Sequence, residues 1–281
     1  MMKVNTLTFI GCDTPYKDAK VTLFGAPFDG TTSYRPGARF APQTIRIDSE
    51  GLETYSPYLD KDLTNEKIID VGDIDVTFGN TQATLMSIKD MTTAILKDKK
   101  KPFMIGGEHL VTLPQFEAIL EVHPNVNIIQ FDAHTDLRDE YCGEPLSHAT
   151  VIKKIHNLIG DGRVYQFGIR SGTKAEFEFA ASHTYLEKFT VNTISNIVNE
   201  LKDIPIYITI DLDVLDPSIM SGTGTPEAGG LLFNELMNAL YKLKGLNIVG
   251  ADVVELAPHY DQSGVSTATA SKVIRELLLM L

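Results

Sequence analysis

The sequence holds only two cysteines, Cys12 and Cys142, in 281 residues. A disulfide framework is thereby excluded, and a reducing, cytoplasmic compartment is the expectation. The chain is also short of positive charge, with 25 Lys and Arg against 37 Asp and Glu and a net charge of −12. That balance argues against nucleic acid or an anionic membrane as a partner and suits a small cationic ligand. No apolar run approaches the roughly 20 residues that a membrane-spanning helix needs. The opening MMKVNTLTFI lacks the apolar core and small-residue cleavage site of a secretory signal. Internal repeats, low-complexity tracts and Pro/Gly-rich linkers are absent as well, so one domain over residues 1–281 is the simplest organisation.

What the sequence does contain is alternation. Apolar, β-branched stretches recur at 20–25, 67–71, 102–105, 126–131, 163–167, 185–189, 205–210 and 246–250. Between several of them lie apolar residues at helical spacing. Leu85, Ile88, Met91 and Ile95 make one stripe, and Ile152, Ile155 and Ile159 another, with Gly160 as a stop. Ile194, Ile197, Val198 and Leu201 make a third, and Val273, Leu277 and Leu281 a last. Strand then helix, repeated, predicts an α/β fold in which helices cover both faces of a parallel sheet.

Ligands of such sheets bind beyond the carboxyl ends of the strands. There, KPFMIGGEHL presents Glu108 and His109, and VNIIQFDAHTD presents Asp132, His134 and Asp136. IPIYITIDLDVLDP presents Asp211, Asp213 and Asp216, and LNIVGADVVELAP presents Asp252 and Glu255. Residues i and i+2 of an extended chain point the same way, so Asp132 can share a focus with His134, and Asp211 with Asp213. A lone acid after a strand is ordinarily a cap or turn residue, which suits Asp216 ahead of Pro217. Several clusters of metal-ligand type at strand exits are far harder to produce by chance.

Gathering these groups without compensation would be costly, because adjacent carboxylates repel and lose hydration. Something positive belongs among them. His109, Asp132, His134, Asp136, Asp211 and Asp213 supply four carboxylates and two imidazoles. Six ligands exceed one tetrahedral zinc, and the mixed oxygen–nitrogen set suits a pair of ions such as Mn²⁺. Two divalent ions about 3.5–4 Å apart can share a solvent molecule and lower its pKa towards neutrality. Their charge cancels that of four carboxylates, so an added hydroxide leaves the cluster negative, and Glu255 adds to the excess. Such a site would accept a cation beside a nucleophile. The remaining His123, His156, His183 and His259 read as solvated or structural side chains.

Taken in order, the strings GGEH, DAHTD with SHAT downstream, DLDVLDP, GTGTPEAGG and VVELAP resemble the ureohydrolases. These arginase–agmatinase enzymes hydrolyse a guanidinium group to urea and an amine. The resemblance spans nearly the whole chain, and FGAPFDGTTSYRPGARFAPQTIR is most similar to the agmatinases. It implies a three-layer α/β/α domain with an eight-stranded, mainly parallel sheet. It also implies two Mn²⁺ per subunit, one held by His109, Asp132, Asp136 and Asp211, the other by Asp132, His134, Asp211 and Asp213. Glu255 would pair with the substrate guanidinium, His148 would lie near the substrate as proton shuttle or leaving-amine stabiliser, and Thr225 would border the guanidinium pocket. Asp136 would hydrogen-bond the solvent nucleophile and relay its proton. A trimer or hexamer is the implied assembly.

The implied reaction converts agmatine to putrescine and urea. Arginases bind an α-amino and α-carboxylate group largely from the loop after DAHTD. Here that loop, residues 137–144, lacks the Asn-bearing pattern expected for arginine and carries Asp139, Glu140 and Glu144, which suit a second cationic end. Glu108 precedes a ligand without being one. Another guanidino substrate, as for a guanidinobutyrase or an arginase, stays open. So does a single-zinc amide hydrolase of the deacetylase type, in which His109 and Asp136 would be surplus. A catalytically silent metal-binding protein would have no need of Glu255 or His148.

Overall fold

The computed structural model describes residues 7–281, so most of the stretch expected to lack a signal falls outside the described residues. The strands are β1 (Val21–Gly25), β2 (Tyr55–Ser56), β3 (Lys61–Asp62), β4 (Ile68–Asp73), β5 (Lys101–Ile105), β6 (Asn127–Phe131), β7 (Val164–Ile169), β8 (Tyr185–Lys188), β9 (Ile206–Asp211) and β10 (Ile248–Val254). The α-helices are α1 (Ala41–Ser49), α2 (Thr81–Lys97), α3 (Thr112–Val122), α4 (Val151–Ile159), α5 (Lys174–His183), α6 (Ile194–Val198), α7 (Phe233–Lys242) and α8 (Val265–Leu278). Eight strands form one sheet in the order β4-β1-β5-β10-β9-β6-β7-β8. Every neighbouring pair in it is parallel. The short β2 and β3 form a separate antiparallel pair that sequence periodicity did not indicate.

Continuous apolar runs make these strands because both faces of the sheet are covered. In β9, Ile206, Ile208 and Ile210 join one core with residues of α1, α6, α7 and α8, while Tyr207 joins the other with α2, α3, α4 and α5. The same alternation places Ile129 and Phe131 of β6 on the first side and Ile128 on the second. The architecture is therefore the expected three-layer α/β/α sandwich. The stripes Leu85, Ile88, Ile95 and Ile152, Ile155, Ile159 face the core on α2 and α4, and Gly160 ends α4 with φ of 81°. The stripe from Ile194 makes a shorter helix than its spacing suggests. α6 stops at Val198, and Leu201 is buried in the turn that follows.

One strand runs past its expected end. The last apolar run ends at Gly250 by its sequence pattern, but β10 continues to Val254, so Asp252 lies fully buried inside the sheet. Ladder pairing with β5 and β9 persists because neighbouring hydroxyls satisfy the Asp252 carboxylate. Only Glu255 emerges from that strand's end.

The strands whose exits carry the clustered acids and histidines are β5, β10, β9 and β6, and they are contiguous at the middle of the sheet. Chain-distant residues are thus brought to one edge. Crowding at that edge explains the paired glycines of GGEH, by the Val254 and Val111 side chains at Gly106 and by the Phe28 backbone at Gly107. A Cβ on Gly107 would sit 1.9 Å from the Phe28 carbonyl oxygen, which accepts the Glu108 N–H at 2.8 Å. Gly107→Ala is expected to destabilise the fold by at least about 1–3 kcal/mol, as overpacking against an unyielding neighbour does. A lowered urea midpoint with an unchanged m-value would show it.

Candidate metal centre and substrate cavity

All six expected ligands converge. His109 Nδ1 lies 3.0 Å from Asp132 Oδ2, 3.1 Å from Asp136 Oδ2 and 3.4 Å from Asp211 Oδ2. His134 Nδ1 lies 2.9 Å from Asp213 Oδ2 and 3.6 Å from Asp132 Oδ1. Donor atoms of His109, Asp132 and Asp211 form one group that could hold an ion, those of Asp132, His134 and Asp213 a second, and Asp132 belongs to both. Each group sits within 4.8 Å.

The local chain directs every donor. Asp132 Oδ1 accepts the His134 N–H at 2.6 Å, and Asp211 Oδ1 accepts the Asp213 N–H at 2.9 Å, so each i, i+2 pair is closed by its own backbone. Asp213 Oδ1 accepts the Ala133 N–H at 3.0 Å, tying the exit of β9 to that of β6. Thr225 Oγ1 donates to Asp213 Oδ2 at 3.2 Å, and Thr225 is among the residues that line the cavity above the cluster. Asp136 and Glu255 both adopt left-handed backbone, with φ of 52° and 68°. Neither is glycine, so each position is held under strain by its surroundings.

A row of polar side chains within the strands supports the donors. His109 Nε2 lies 2.9 Å from Thr209 Oγ1, and that hydroxyl donates to Asp252 Oδ1 at 2.6 Å. Because the Thr209 proton is committed to Asp252, its lone pair accepts from His109 Nε2–H. Nδ1 then faces the carboxylates. It is buried and has no hydrogen-bond partner of good geometry among the described residues, although three anionic oxygens surround it. A nitrogen in that position takes up either a proton or a cation, and the oxygen–nitrogen donor set around it fits a divalent ion. Gln130 Nε2 donates to Asp132 Oδ2 at 2.6 Å, and Gln166 Nε2 to Gln130 Oε1 at 2.7 Å. Arg170 Nη2 donates to the Asp213 carbonyl at 2.6 Å. Sequence reading passed over this layer. Its signal was present, since Gln130 and Thr209 stand two residues before Asp132 and Asp211 and hence on the same strand faces.

Electrostatics show how crowded the centre is. Burial works against protonating His109, yet Asp132, Asp136 and Asp211 outweigh it and hold the imidazole well above its ordinary pKa. His134 is raised likewise against burial, by Asp213 and Asp132. Burial and then the Asp132 charge push Asp136 up to about 7. Burial, Asp213 and Asp132 carry Asp211 well above the carboxylate range. Burial opposes ionisation of Asp132, but His109 and His134 prevail and lower it. His148 is pushed the other way, down to about 4, by burial and then by the two imidazoles.

A cavity of about 270 Å³ opens over these groups, lined by His109, His134, Asp136, Asp211 and Glu255 at its floor, with His148, Ser33 and Thr225 at its sides. Glu255 is buried and accepts the His109 N–H at 2.8 Å through Oε1. Further out the lining includes Arg138, Tyr141 and Glu176. The acids Asp139, Glu140 and Glu144 do not line it. They are exposed on the loop surface, and Glu144 lines a neighbouring depression that shares Ser33 and Tyr141 with the cavity. Asp216 behaves as a turn residue, taking the Gly229 and Gly230 N–H groups at 2.9 and 3.0 Å. Elsewhere, His156 Nε2 and His183 Nδ1 both lie within 2.9 Å of Asp161 Oδ1. The other His156 nitrogen is buried with no hydrogen-bond partner among the described residues, unlike a metal-bound histidine, so these two fit a structural role.

The model of the arginase family matches residues 19–280. The chain belongs to that family. An agmatinase of Bacillus cereus is 48% identical over 275 residues, which cover 96% of this chain and 95% of that one. A crystal structure from Clostridium difficile superposes with a TM-score of 0.93 at 52% identity, covering 95% of this chain and 98% of the other. Proclavaminate amidino hydrolase from Streptomyces clavuligerus gives a TM-score of 0.90 at 30% identity, over 99% of this chain and 97% of that one. The arginase-family fold thus accounts for the whole eight-stranded sheet.

Two outcomes follow for divalent-cation binding. Thr209→Val is expected to weaken it by about 10–100-fold, by releasing the His109 tautomer, and titration calorimetry of the folded variant measures that loss. Protons occupy Asp136 up to about pH 7, and His109, His134 and Asp211 are raised too, so each proton must leave before a cation enters. Affinity should therefore rise with pH and fall as pH drops below about 7, with proton release on binding. Calorimetry in buffers of different ionisation enthalpy counts those protons.

Proposed function

We propose that the chain is a metal-dependent ureohydrolase that cleaves agmatine to putrescine and urea. The observation that carries this is a cavity lined by the buried carboxylate of Glu255 together with His109, His134, Asp136 and Asp211, with Asp132 and Asp213 in contact with those imidazoles. His109, Asp132, Asp136 and Asp211 would hold one ion, and Asp132, His134, Asp211 and Asp213 the other, with Asp132 and Asp211 shared. Hard carboxylate oxygens mixed with imidazole nitrogens favour Mn²⁺. When bound, such a pair supplies a water molecule acidic enough to serve as nucleophile near neutral pH.

The side chains do the rest. Glu255 binds the planar guanidinium by charge-assisted hydrogen bonds and turns its carbon towards the nucleophile. Thr225 closes that side of the pocket. Water is added across the C–N bond, its oxygen going to the guanidinium carbon and a proton to the alkyl nitrogen. Asp136 takes up the proton released by the nucleophile and passes it to the departing amine, which cannot leave as an anion. His148, pushed down to about 4, is neutral at neutral pH and so orients and relays at that amine rather than storing a proton.

The negative floor suits any guanidinium, and agmatine is favoured among guanidino compounds because the 48% identical Bacillus cereus relative is an agmatinase. Arg138 lends support to a second reading, a guanidino acid whose carboxylate would meet that guanidinium. In this structure Arg138 is engaged instead, 4.4 Å above the Tyr141 ring and 3.4 Å from Glu176 Oε2. We further infer one domain over the whole chain and assembly into a trimer or hexamer. The free thiols of Cys12 and Cys142, the latter exposed, agree with a cytoplasmic setting. No helix of the described residues is long and apolar enough to cross a membrane.

Urea release from agmatine, arginine, guanidinobutyrate and guanidinopropionate by Mn²⁺-loaded protein separates these readings, and agmatine is expected to give the highest kcat/KM. Glu255→Gln should cost about 2–5 kcal/mol of transition-state stabilisation, a loss of about 30-fold or more, with metal content retained. If metal loss accounted for the whole defect, the guanidinium role of Glu255 would fall.

A further inference from the structure

Glu108 is fully buried next to His109, yet it points away from the cavity and into the loop that follows β1. Its carboxylate takes the Thr31 N–H at 2.9 Å, the Thr31 hydroxyl at 2.5 Å and the Thr32 hydroxyl at 3.0 Å. The Thr31 hydroxyl spends its one proton on Glu108 Oε1, so its lone pairs remain free. One of those receives the His148 backbone N–H at 3.2 Å. Two residues on, Ser33 Oγ lies 3.1 Å from His148 Nε2. The loop therefore grips His148 at its backbone and at its ring, and Glu108 grips the loop.

We propose that Glu108 is a positioning residue that sets His148 relative to the metal ligands by polarising Thr31 and anchoring residues 31–33. Because Glu108 and His109 are consecutive, one backbone segment places both a ligand and, through two hydrogen bonds, the imidazole that serves the leaving amine. The inference rests on the role given to His148 above. A neutral amide at 108 accepts at only one of its two ends, so its NH₂ would face a Thr31 or Thr32 donor and loosen the hold on residues 31–33 that positions His148.

The test is a double-mutant cycle on Mn²⁺-loaded protein with agmatine, metal content being measured for each variant. Glu108→Gln should lower kcat about tenfold with KM within about twofold and metal retained. In a His148→Ala background the same change should matter less than about twofold. Thr31→Val should reproduce the loss and Thr31→Ser should restore it, which keeps the idea testable if Glu108→Gln does not fold. An equal loss in both backgrounds, or a loss explained by missing metal, would overturn the coupling. A full-rate His148→Ala would instead remove the role of His148 itself, so the two failures are distinguishable.

Discussion

Mutual repulsion among buried carboxylates governs this molecule. Asp132, Asp136, Asp211, Asp213 and Glu255 meet where four parallel strands end, all of them almost without solvent contact. Removal from water makes each charge expensive, and their proximity multiplies the cost. The structure answers with directed donors. The Ala133, His134, Asp213 and His109 N–H groups, the Gln130 amide and the Thr225 hydroxyl each satisfy one carboxylate oxygen. Two imidazoles supply positive charge when protonated. The remainder is left for cations, the metal ions first and then the substrate guanidinium, so the site's composition and its substrate preference have a common electrostatic origin.

Such a cluster must be held by a frame that does not relax away from it. The contiguous β5, β10, β9 and β6 are buried on both faces and hydrogen-bonded on both sides, and their exits cannot spread apart without breaking the sheet. Beneath the cluster, Thr209, Asp252 and Tyr207 occupy positions where apolar residues would pack as well. Their presence is explained by the orientation they impose on His109. Strain at Asp136 and Glu255 is another cost borne at the site and carried by the scaffold. Loops from β1 and β6 complete the walls, and the Glu108–Thr31–His148 chain ties one loop to the other.

Much of this was legible in the chain. Period-two spacing identified Asp132 with His134 and Asp211 with Asp213, and the closing backbone hydrogen bonds show why that spacing works. Eight apolar runs correspond to the eight strands of the main sheet, because a strand covered on both faces can be apolar throughout. Where reading fell short, a tertiary contact decided the matter. Asp252 resembles a strand exit because a charge interrupts an apolar run, and the hydroxyls of Tyr207 and Thr209, with Thr112 beside them, make it tolerable inside the sheet. The acids of residues 139–144 looked like a specificity feature, but the loop turns them outward and brings Arg138 and Tyr141 to the cavity instead. Glu108 looked like a bystander because its partners lie 76 and 77 residues away.

The amino-acid sequence by itself determined the layered α/β fold, the identity of the donor groups and their need for a cation, since hydrophobic period and residue chemistry are local properties. Tertiary structure alone decided that β5, β10, β9 and β6 are neighbours, that His109 presents Nδ1 rather than Nε2, and that Glu108 reaches His148 through Thr31. Those outcomes depend on strand order and on hydrogen bonds between segments far apart in the chain, and no local pattern encodes either.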